Sequence, residues 1–278
     1  MITCNLIGGL GNQLFQIFST IGICLKLNCK FIFLYKKKLE ETEDNPYTET
    51  YWDNLLSNLS AFMVDSYSLK PQIVEENGYI PEDYSTNKLY MLCGFFQSYK
   101  YFNNLYFDII YELIGINKAK QLVIEKHPSY IKDNYISMHF RFGDYKESEE
   151  AYSPVSYDYY EDSLKYLLRQ DNTCKTVLYF CDEDDHEEAL LIVDKLKVKY
   201  QSIEFICIDF EICDWEQLLI MSMCKHNIIA NSTFSWWAAF FNRNTKKIIC
   251  YPEKWYESGL TYEQMNDLFP KEWKQIQC

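Results

Sequence analysis

The sequence has 278 residues, of which 48% are hydrophobic and 17% aromatic, so the chain can bury one large core or two modest ones. Its 9 glycines and 7 prolines are too few for a collagen-like or low-complexity chain, and its aromatic content argues against intrinsic disorder. The formal net charge of −13 argues against a general nucleic-acid-binding protein and against a polybasic membrane-surface protein, because both need an excess of positive charge.

The first half of the chain predicts a strand, a glycine-rich turn and an apolar helix, followed by less regular structure. Hydrophobic patterning predicts strands at residues 2–7 and 30–35 and helices at residues 14–25, 101–115 and 118–126. Between residues 36 and 90, polar runs alternate with short aromatic pieces, which indicates loops and irregular structure. The proline that follows His127 ends the last of these helices, and residues 127–134 are the expected linker.

In the second half, strands and helices alternate regularly. We expect strands at residues 135–140, 176–181, 203–208, 227–230 and 247–251, and helices at residues 157–169, 186–200, 214–224 and 232–242. This alternation predicts a parallel sheet with helices on both faces. Ligands of such sheets bind at the carboxyl ends of the strands, so residues just after each strand are the first candidates for a site.

Cysteine usage and the N-terminal hydrophobic stretch predict a soluble cytoplasmic protein. The 11 cysteines form no CxxC motif and mostly lie in apolar runs, so we interpret them as buried thiols of a reducing compartment. The 4 histidines are scattered and offer no spacing typical of structural zinc. Residues 14–25 are too few to cross a bilayer and no Lys or Arg precedes them, so we expect neither an anchor nor a signal peptide.

The first candidate site lies in residues 139–145 (HFRFGDY), at the end of a predicted strand. Only three of the 27 basic residues are arginines, and Arg141 is one of them. A planar guanidinium binds phosphate through two parallel hydrogen bonds, which an ammonium cannot reproduce. The strand end therefore favours phosphate binding by Arg141, and the alternative is an arginine that pairs with Asp144 to hold a turn.

The second candidate lies in residues 231–242 (NSTFSWWAAFFN), where a predicted strand turns into an aromatic helix. Hydroxyl side chains such as Ser232 and Thr233 cap the exposed amides of a helix, and the N-terminus of a helix is a ready site for phosphate. The alternative is plain capping of a core helix, because most of the aromatic residues here are expected in the core.

Two other motifs are less specific. The glycine-rich segment at residues 8–13 fails as a dinucleotide fingerprint because Leu14 stands where the last glycine is needed, but it suits a loop that a ligand approaches closely. In the acidic run at residues 182–185 (DEDD), Asp182 and Asp184 match the metal-binding DxD of manganese-dependent glycosyltransferases. The alternative for this run is an acidic first turn favoured by the helix dipole.

Taken together, these segments resemble glycosyltransferase family 11, the α-1,2-fucosyltransferases. The family's GGLGNQLFQ segment matches residues 8–16, its HxRxGDY segment matches residues 139–145, and its C-terminal segment resembles residues 221–237, in the same order. The resemblance implies an α/β fold of GT-B type with two Rossmann-like lobes and an active site in the cleft. We expect an acceptor-side lobe at residues 1–130 and a nucleotide-sugar-binding lobe at residues 131–278, with the extreme C-terminus packing back on the first lobe.

The resemblance also assigns roles to residues. Arg141 matches the family's arginine for the donor diphosphate, and His139 matches its companion near the nucleotide. The full set of donor-binding residues expected is Gly9, Gly11, Asn12, His139, Arg141, Asp182, Asn231, Ser232, Thr233 and Ser235, of which the resemblance supports Asp182 least. Arg141 and Asp144 are the expected catalytic residues, Asp144 because it is the carboxylate nearest to Arg141 in the sequence; the alternatives are that Asp144 only orients Arg141 and that a glutamate of the first lobe is the base. Phe142 occupies the position of a second arginine in the family, so either a lysine or backbone amides replace that charge, or donor affinity is lower.

The resemblance implies a metal-independent, inverting transfer of L-fucose from GDP-fucose to the 2-hydroxyl of a terminal β-galactoside. GDP-fucose is the implied donor substrate, a galactoside glycan is the implied acceptor, and no cofactor or nucleic-acid partner is expected. One alternative is a manganese-dependent DxD glycosyltransferase with another donor. The other is a non-catalytic glycan- or nucleotide-binding protein on the same fold, for which Phe142 is the argument.

Overall fold

The computed structural model describes residues 1–40, 49–76, 88–102, 104–143, 154–256 and 262–277. The chain divides into two compact units, Met1–Ala119 with Asp267–Phe269, and Lys120–Asn266 with Pro270–Cys278. The sequence placed this boundary after residue 130. Residues from Lys120 onward group with the second unit, where the Lys120 Nζ donates to the carbonyl of Phe241 at 2.7 Å and the Lys126 Nζ donates to the Glu216 carboxylate at 2.8 Å.

The first unit contains short strands and two helices. They are β1 (Ile2–Cys4), α1 (Leu10–Leu27), β2 (Phe33–Leu34), β3 (Met63–Val64), β4 (Gln72–Glu75), β5 (Tyr90–Cys93) and α2 (Asn104–Ile114), with 3-10 turns at Ser57–Phe62 and Tyr99–Phe102. The strands form one parallel sheet of order β1-β5-β4 and a parallel pair β2-β3, and a bridge between Ile2 and Phe31 lies beside β1. The expectation of irregular structure between residues 36 and 90 is therefore wrong for β3 and β4.

Helix α1 begins at Leu10, four residues earlier than the apolar pattern indicates. Gly9 is its extended N-cap residue, and Asn28 in the left-handed conformation (φ 49°) ends it. The Cys29 N–H then donates to the Cys24 carbonyl at 3.0 Å, which satisfies an end group of the helix. The early start places Gly11 and Asn12 within the first turn of the helix rather than in a loop.

The second unit is the larger one and continues the alternation of strands and helices. Its elements are β6 (Tyr135–His139), α4 (Tyr157–Gln170), β7 (Thr176–Phe180), α5 (His186–Lys199), β8 (Glu204–Cys207), α6 (Asp214–Met223), β9 (His226–Ile228), α7 (Thr233–Phe241), β10 (Ile249–Pro252) and β11 (Lys274–Ile276), with 3-10 turns at Pro128–Tyr130 and Glu183–Asp185. Two helices, α3 (Ile116–Lys126) and α8 (Tyr262–Leu268), begin in one unit and end in the other. Each strand and helix predicted in this part of the chain is present, with ends that differ by up to two residues.

The strands of the second unit form one parallel sheet of order β11-β10-β9-β6-β7-β8. From β6 in the middle the chain moves outward through β7 to β8, then returns to the other side of β6 and moves outward through β9, β10 and β11. Neighbouring strands β6 and β9 therefore lead to opposite halves of the sheet. Such a reversal opens a crevice at the carboxyl ends of the two strands, which is where ligands bind in open α/β sheets.

The core of the second unit surrounds this sheet. Strand β7 is buried along its whole length, as expected for a strand covered on both faces. Tyr159 of α4 is fully buried, and its hydroxyl donates to the Ile229 carbonyl at 2.6 Å and the Cys250 carbonyl at 3.0 Å. These bonds attach the helix to the sheet beside the carboxyl end of β9. Across the described residues ten cysteines are free thiols, and most of them are buried.

Candidate active site

Arg141 lies two residues beyond β6, at one side of the crevice. The Phe140 N–H still donates to the Phe180 carbonyl at 2.8 Å, so the backbone remains tied to β7 up to the residue before the arginine. The Arg141 Nη1 donates to the Asp182 Oδ2 at 2.5 Å, and both side chains are partly exposed. The guanidinium of Arg141 therefore stands at the strand end in an ion pair with Asp182.

Asp185 binds the backbone of the residues that follow Arg141. Its carboxylate Oδ2 accepts the Phe142 N–H at 2.8 Å and the Gly143 N–H at 3.0 Å, and the side chain is buried. In the sequence Asp185 is only the last residue of an acidic run. Its position three residues after Asp182, at the start of a helix, was the one feature of the sequence that could have indicated its role. That feature does not identify its hydrogen-bond partners, because they lie more than forty residues away in the chain.

The acidic run therefore has an observed role other than that of a metal motif. Asp182 pairs with Arg141 and Asp185 binds two backbone amides, while Asp184 is exposed. Phe142, at the position of the family's second arginine, is buried and packs its ring 6.3 Å from that of Phe140. Because the Phe142 and Gly143 amides already donate to Asp185, these two amides do not replace the charge of the missing arginine.

His139, the last residue of β6, is buried beside helix α7. Its ring centroid lies 5.5 Å from that of Phe234, and its backbone carbonyl accepts the Tyr160 hydroxyl at 2.9 Å. Burial, reinforced by the neighbouring Arg141, lowers the pKa of His139 to about 3. The imidazole is therefore neutral at physiological pH. Its Nδ1 has no hydrogen-bond partner among the described residues.

The start of α7 lies at the other side of the crevice, after β9. The Ser232 Oγ accepts the Phe234 N–H at 3.3 Å and so caps the helix, as the hydroxyl-rich sequence indicates. The Ser235 hydroxyl points back into the protein and donates to the Ala230 carbonyl at 3.4 Å. The Asn231 amide donates to the Trp255 carbonyl at 3.3 Å. Of the four predicted residues in this segment, only Ser232 and Thr233 have partly exposed side chains.

The other three predicted donor residues, Gly9, Gly11 and Asn12, lie in the first unit at the start of α1. Gly9 is exposed, and a Cβ atom added there meets nothing within 4 Å. Gly11 is buried, and the Asn12 Oδ1 accepts the Gln97 Nε2–H at 3.1 Å. Gly9 is therefore the residue of this group whose backbone is open to a ligand.

Two glutamines of the same motif hold the glycine-rich loop, and sequence reasoning missed both. The Gln13 Nε2 donates to the Gly8 carbonyl at 3.0 Å and to the Glu49 carbonyl at 2.9 Å. The Gln16 Oε1 accepts the Ile7 N–H at 3.1 Å, and its Nε2 donates to the Gly94 carbonyl at 3.2 Å. Two buried amides in an otherwise apolar helix were the signal that could have indicated this role.

Among the described residues, Asp171, Cys174 and His226 form a group with ligand atoms close enough for a metal ion. Their places in the chain put them at the amino ends of β7 and β9, the edge of the sheet opposite to Arg141. The His226 Nδ1 accepts the Ile248 N–H at 3.0 Å, its Nε2 lies 3.2 Å from the Asp171 Oδ2, and the Lys225 ammonium lies 2.5 Å from the same oxygen. Both ring nitrogens are used and a cation is already present, so this group is a hydrogen-bond network.

Asp144, the second predicted catalytic residue, lies outside the described residues. None of the helices in the described part of the chain combines the length and apolarity that a membrane span requires. The structure thus gathers His139, Arg141, Asp182 and the start of α7 at the carboxyl edge of one sheet.

Comparison with known proteins identifies the family. The sequence profile of glycosyl transferase family 11 matches residues 1–277. An O-antigen biosynthesis glycosyltransferase of Escherichia coli is 31% identical over 54% of this chain, and an Escherichia coli alpha-1,2-colitosyltransferase is 31% identical over 52%. The matches cover 50% and 48% of these two relatives, so the chain spans about half their length.

Two broader similarities cover nearly the whole chain. A galactoside 2-alpha-L-fucosyltransferase of Caenorhabditis elegans is 23% identical over 99% of this chain and 79% of its own length. The crystal structure of POFUT1 in complex with GDP has a TM-score of 0.53 at 10% identity, over 90% of this chain and 97% of that one. This likeness, with the parallel sheets of both units, confirms the α/β, GT-B-like fold class. Because the profile match extends from the first strand to the last, the chain belongs to glycosyltransferase family 11.

Proposed function

We propose that this chain is an inverting glycosyltransferase that moves L-fucose from GDP-fucose to the 2-hydroxyl of a terminal β-galactoside, forming an α-1,2 linkage. The observation that carries the proposal is the crevice between β6 and β9. A guanidinium stands at one side of it and the N-terminus of α7 at the other. Membership of family 11 and the Caenorhabditis elegans relative support the fucosyl donor and the galactoside acceptor.

The chemistry of transfer needs what this crevice offers. When the bond between the anomeric carbon and the diphosphate oxygen breaks, negative charge builds on the departing diphosphate. The Arg141 fork and the N-terminal amides of α7 stabilise that charge without rearranging, which is how preorganised donors lower a barrier. We expect this arrangement to replace a metal ion. The acceptor hydroxyl attacks from the opposite face of the sugar, which inverts the anomeric configuration.

His139 takes part through its shape and hydrogen bonding rather than through charge. In the protein without ligand the imidazole is neutral, because burial lowers the pKa of His139 to about 3, so Arg141 is the cation of this strand end. The base that receives the acceptor proton is proposed to be Asp144, the carboxylate that follows Arg141 most closely in the sequence.

The test is mass spectrometry of the purified protein with GDP-fucose and lactose or N-acetyllactosamine. One set of reactions contains EDTA and a parallel set contains manganese. Gain of one deoxyhexose on galactose in EDTA supports the donor, the acceptor class and metal independence together. Product only with manganese would favour the DxD alternative through Asp182 and Asp184. GDP binding without any transfer would favour the non-catalytic alternative.

A second candidate donor is favoured by one of the relatives. The Escherichia coli colitosyltransferase is 31% identical to this chain in the aligned segment, and the Caenorhabditis elegans fucosyltransferase is 23% identical. The alignment with the colitosyltransferase covers only about half of either chain. A reaction with a nucleotide-activated colitose, run beside GDP-fucose at equal concentration, separates the two donors. Transfer of a dideoxyhexose in preference to a deoxyhexose would replace fucose by colitose and leave the mechanism unchanged.

A further inference from the structure

The acidic turn after β7 contacts the Arg141 loop in two different ways. Its first carboxylate, Asp182, pairs with the guanidinium, and its last, Asp185, accepts the two backbone N–H groups that follow Arg141. The Asp185 N–H donates to the Asp182 carbonyl at 3.0 Å, so one turn of backbone fixes the spacing of both carboxylates. One rigid element therefore faces both the head group and the backbone of the arginine.

Asp185 is the better placed of the two to fix the backbone. Its side chain is 1% exposed, whereas the Asp182 side chain is 57% exposed. A buried carboxylate that accepts two N–H groups is strongly tied to them, because the group has lost its water and has these donors instead. An exposed ion pair competes with water and is weakly held. The conformation of the loop thus depends on Asp185 more than on Asp182.

Phe142 completes the attachment. Its side chain is buried against Phe140 while its N–H points to Asp185, so the residue next to Arg141 is held from both directions. In this chain Phe142 stands at the position of the family's second arginine and fixes the loop. The remaining arginine then has to be well oriented, because no second guanidinium shares its task.

We propose that Asp185 is a positioning residue that holds the Arg141 loop in the conformation that presents the guanidinium to the donor diphosphate. The proposal rests on the proposed function for the identity of the ligand. It assigns Asp185 no contact with the substrate. Loss of Asp185 leaves the buried Phe142 N–H and the half-buried Gly143 N–H without their acceptor, so the loop changes conformation to find others and Arg141 loses its fixed direction.

The test compares Asp185→Ala, Asp185→Asn and Glu183→Ala in the full chain. The asparagine side chain of the second variant retains an oxygen that can accept the same N–H groups, so Asp185→Asn is the conservative replacement. Glu183 is an exposed acid of the same turn, so Glu183→Ala is the control. Binding of GDP and of guanosine is measured for each. We expect Asp185→Ala to weaken GDP binding by about tenfold to a hundredfold, Asp185→Asn to weaken it less, and guanosine binding to change little.

A double-mutant cycle separates positioning from general damage. If Asp185 acts through Arg141, then Asp185→Ala weakens GDP binding further by less than about twofold when Arg141→Lys is already present. Equal losses for GDP and guanosine, or additive losses in the cycle, would overturn the proposal. Thermal unfolding of each variant shows whether the second unit remains folded at the assay temperature.

A readout without ligand keeps the proposal independent of the donor. The chain has three arginines, so the Nε–H region of a nitrogen-15 spectrum contains three side-chain signals, and Arg141→Lys assigns one of them. We expect the Arg141 signal to broaden or shift in Asp185→Ala and to remain unchanged in Glu183→Ala. An unchanged Arg141 signal in Asp185→Ala refutes positioning. Absence of GDP binding by the wild type, with the expected change in this signal, would refute the proposed function alone.

Discussion

Arg141→Lys is the substitution that most directly tests the candidate site. The change keeps the positive charge and removes the planar fork, so it separates charge from geometry. In the structure the Arg141 Nη1 lies 2.5 Å from the Asp182 Oδ2, with side-chain exposures of 30% and 57%. A lysine at this strand end retains an ammonium but offers the diphosphate a single point of attachment.

The expected magnitudes for activity and stability differ widely. Loss of one preorganised donor to transition-state charge reduces turnover by about 100-fold to 1,000-fold, or about 2.7–4 kcal/mol. The ion pair with Asp182 is exposed to solvent, and such pairs contribute about 0.2–1 kcal/mol to the free energy of unfolding. We therefore expect activity to fall by orders of magnitude while the unfolding midpoint changes little.

The assay measures initial rates of GDP release with GDP-fucose and N-acetyllactosamine, together with thermal unfolding. Arg169→Lys is the matched control, because Arg169 is an exposed residue in the last turn of α4 and undergoes the same chemical change. Arg141→Lys with turnover within about threefold of the wild type refutes the proposed role. A large loss of stability in Arg141→Lys would show that its main role is structural.

Three further predictions concern the glycine-rich loop, two buried lysines and the buried histidine. Gly8 has φ +76° and a Cβ there would lie 2.4 Å from the Asn12 Nδ2, so Gly8→Ala should lower the free energy of unfolding by about 1–2 kcal/mol. A Cβ at Gly9 meets nothing within 4 Å, so Gly9→Ala should leave the melting temperature unchanged and lower only activity. Equal melting temperatures for the two variants would contradict the role assigned to Gly8. Burial lowers the pKa of Lys120 to about 7 and that of Lys247 to about 8. Between pH 7 and 8.5 the unfolded chain therefore binds more protons at these amines than the folded chain, so the free energy of unfolding rises with pH by at most about 1.4 kcal/mol per pH unit for each lysine. Lys120→Met should reduce the change in urea midpoint across this pH range, and an unchanged slope would refute the assignment. Because the pKa of His139 is about 3, its imidazole signals in a nitrogen-15 spectrum should not titrate between pH 5 and 8, and a midpoint near 6.5 would mean that the ring is not buried.

Hydrophobic patterning located the strands and helices of the second unit from β6 to β10 but missed α8 and β11, and in the first unit it missed β3, β4 and β5. Strand β7 consists of five buried residues between Lys175 and the buried Cys181, and this continuous burial reflects its position between neighbouring strands in a covered sheet. In β4 only Val74 is buried along the strand Gln72–Glu75, so neither alternation nor an apolar run marks it. β4 is held by its pairing with β5, whose residues lie well over ten positions further along the chain. Local sequence contains no signal for a strand of that kind.

The helix start at Leu10 illustrates the same limit for the candidate site. Glycine and asparagine at positions 11 and 12 disfavour a helix on propensity, and the pattern placed its start at residue 14. The helix forms from Leu10 because Gln13 and Gln16 hydrogen-bond the preceding loop and the distant carbonyls of Glu49 and Gly94. Propensity was outweighed by contacts with residues far away in the sequence.

The sequence alone determined the order of strands and helices from β6 to β10, the placement of Arg141 and Ser232 after strands, and the resemblance to a family. These are properties of neighbouring residues, and they can be recognised in a single stretch of chain. Only the tertiary structure decided that β9 lies beside β6, that Asp182 pairs with Arg141, and that Asp185 holds the loop between them. Those contacts join residues forty or more positions apart in the chain. Which distant residues meet depends on the order of the strands in the sheet. The local pattern allows several orders, and packing of the whole sheet selects one of them.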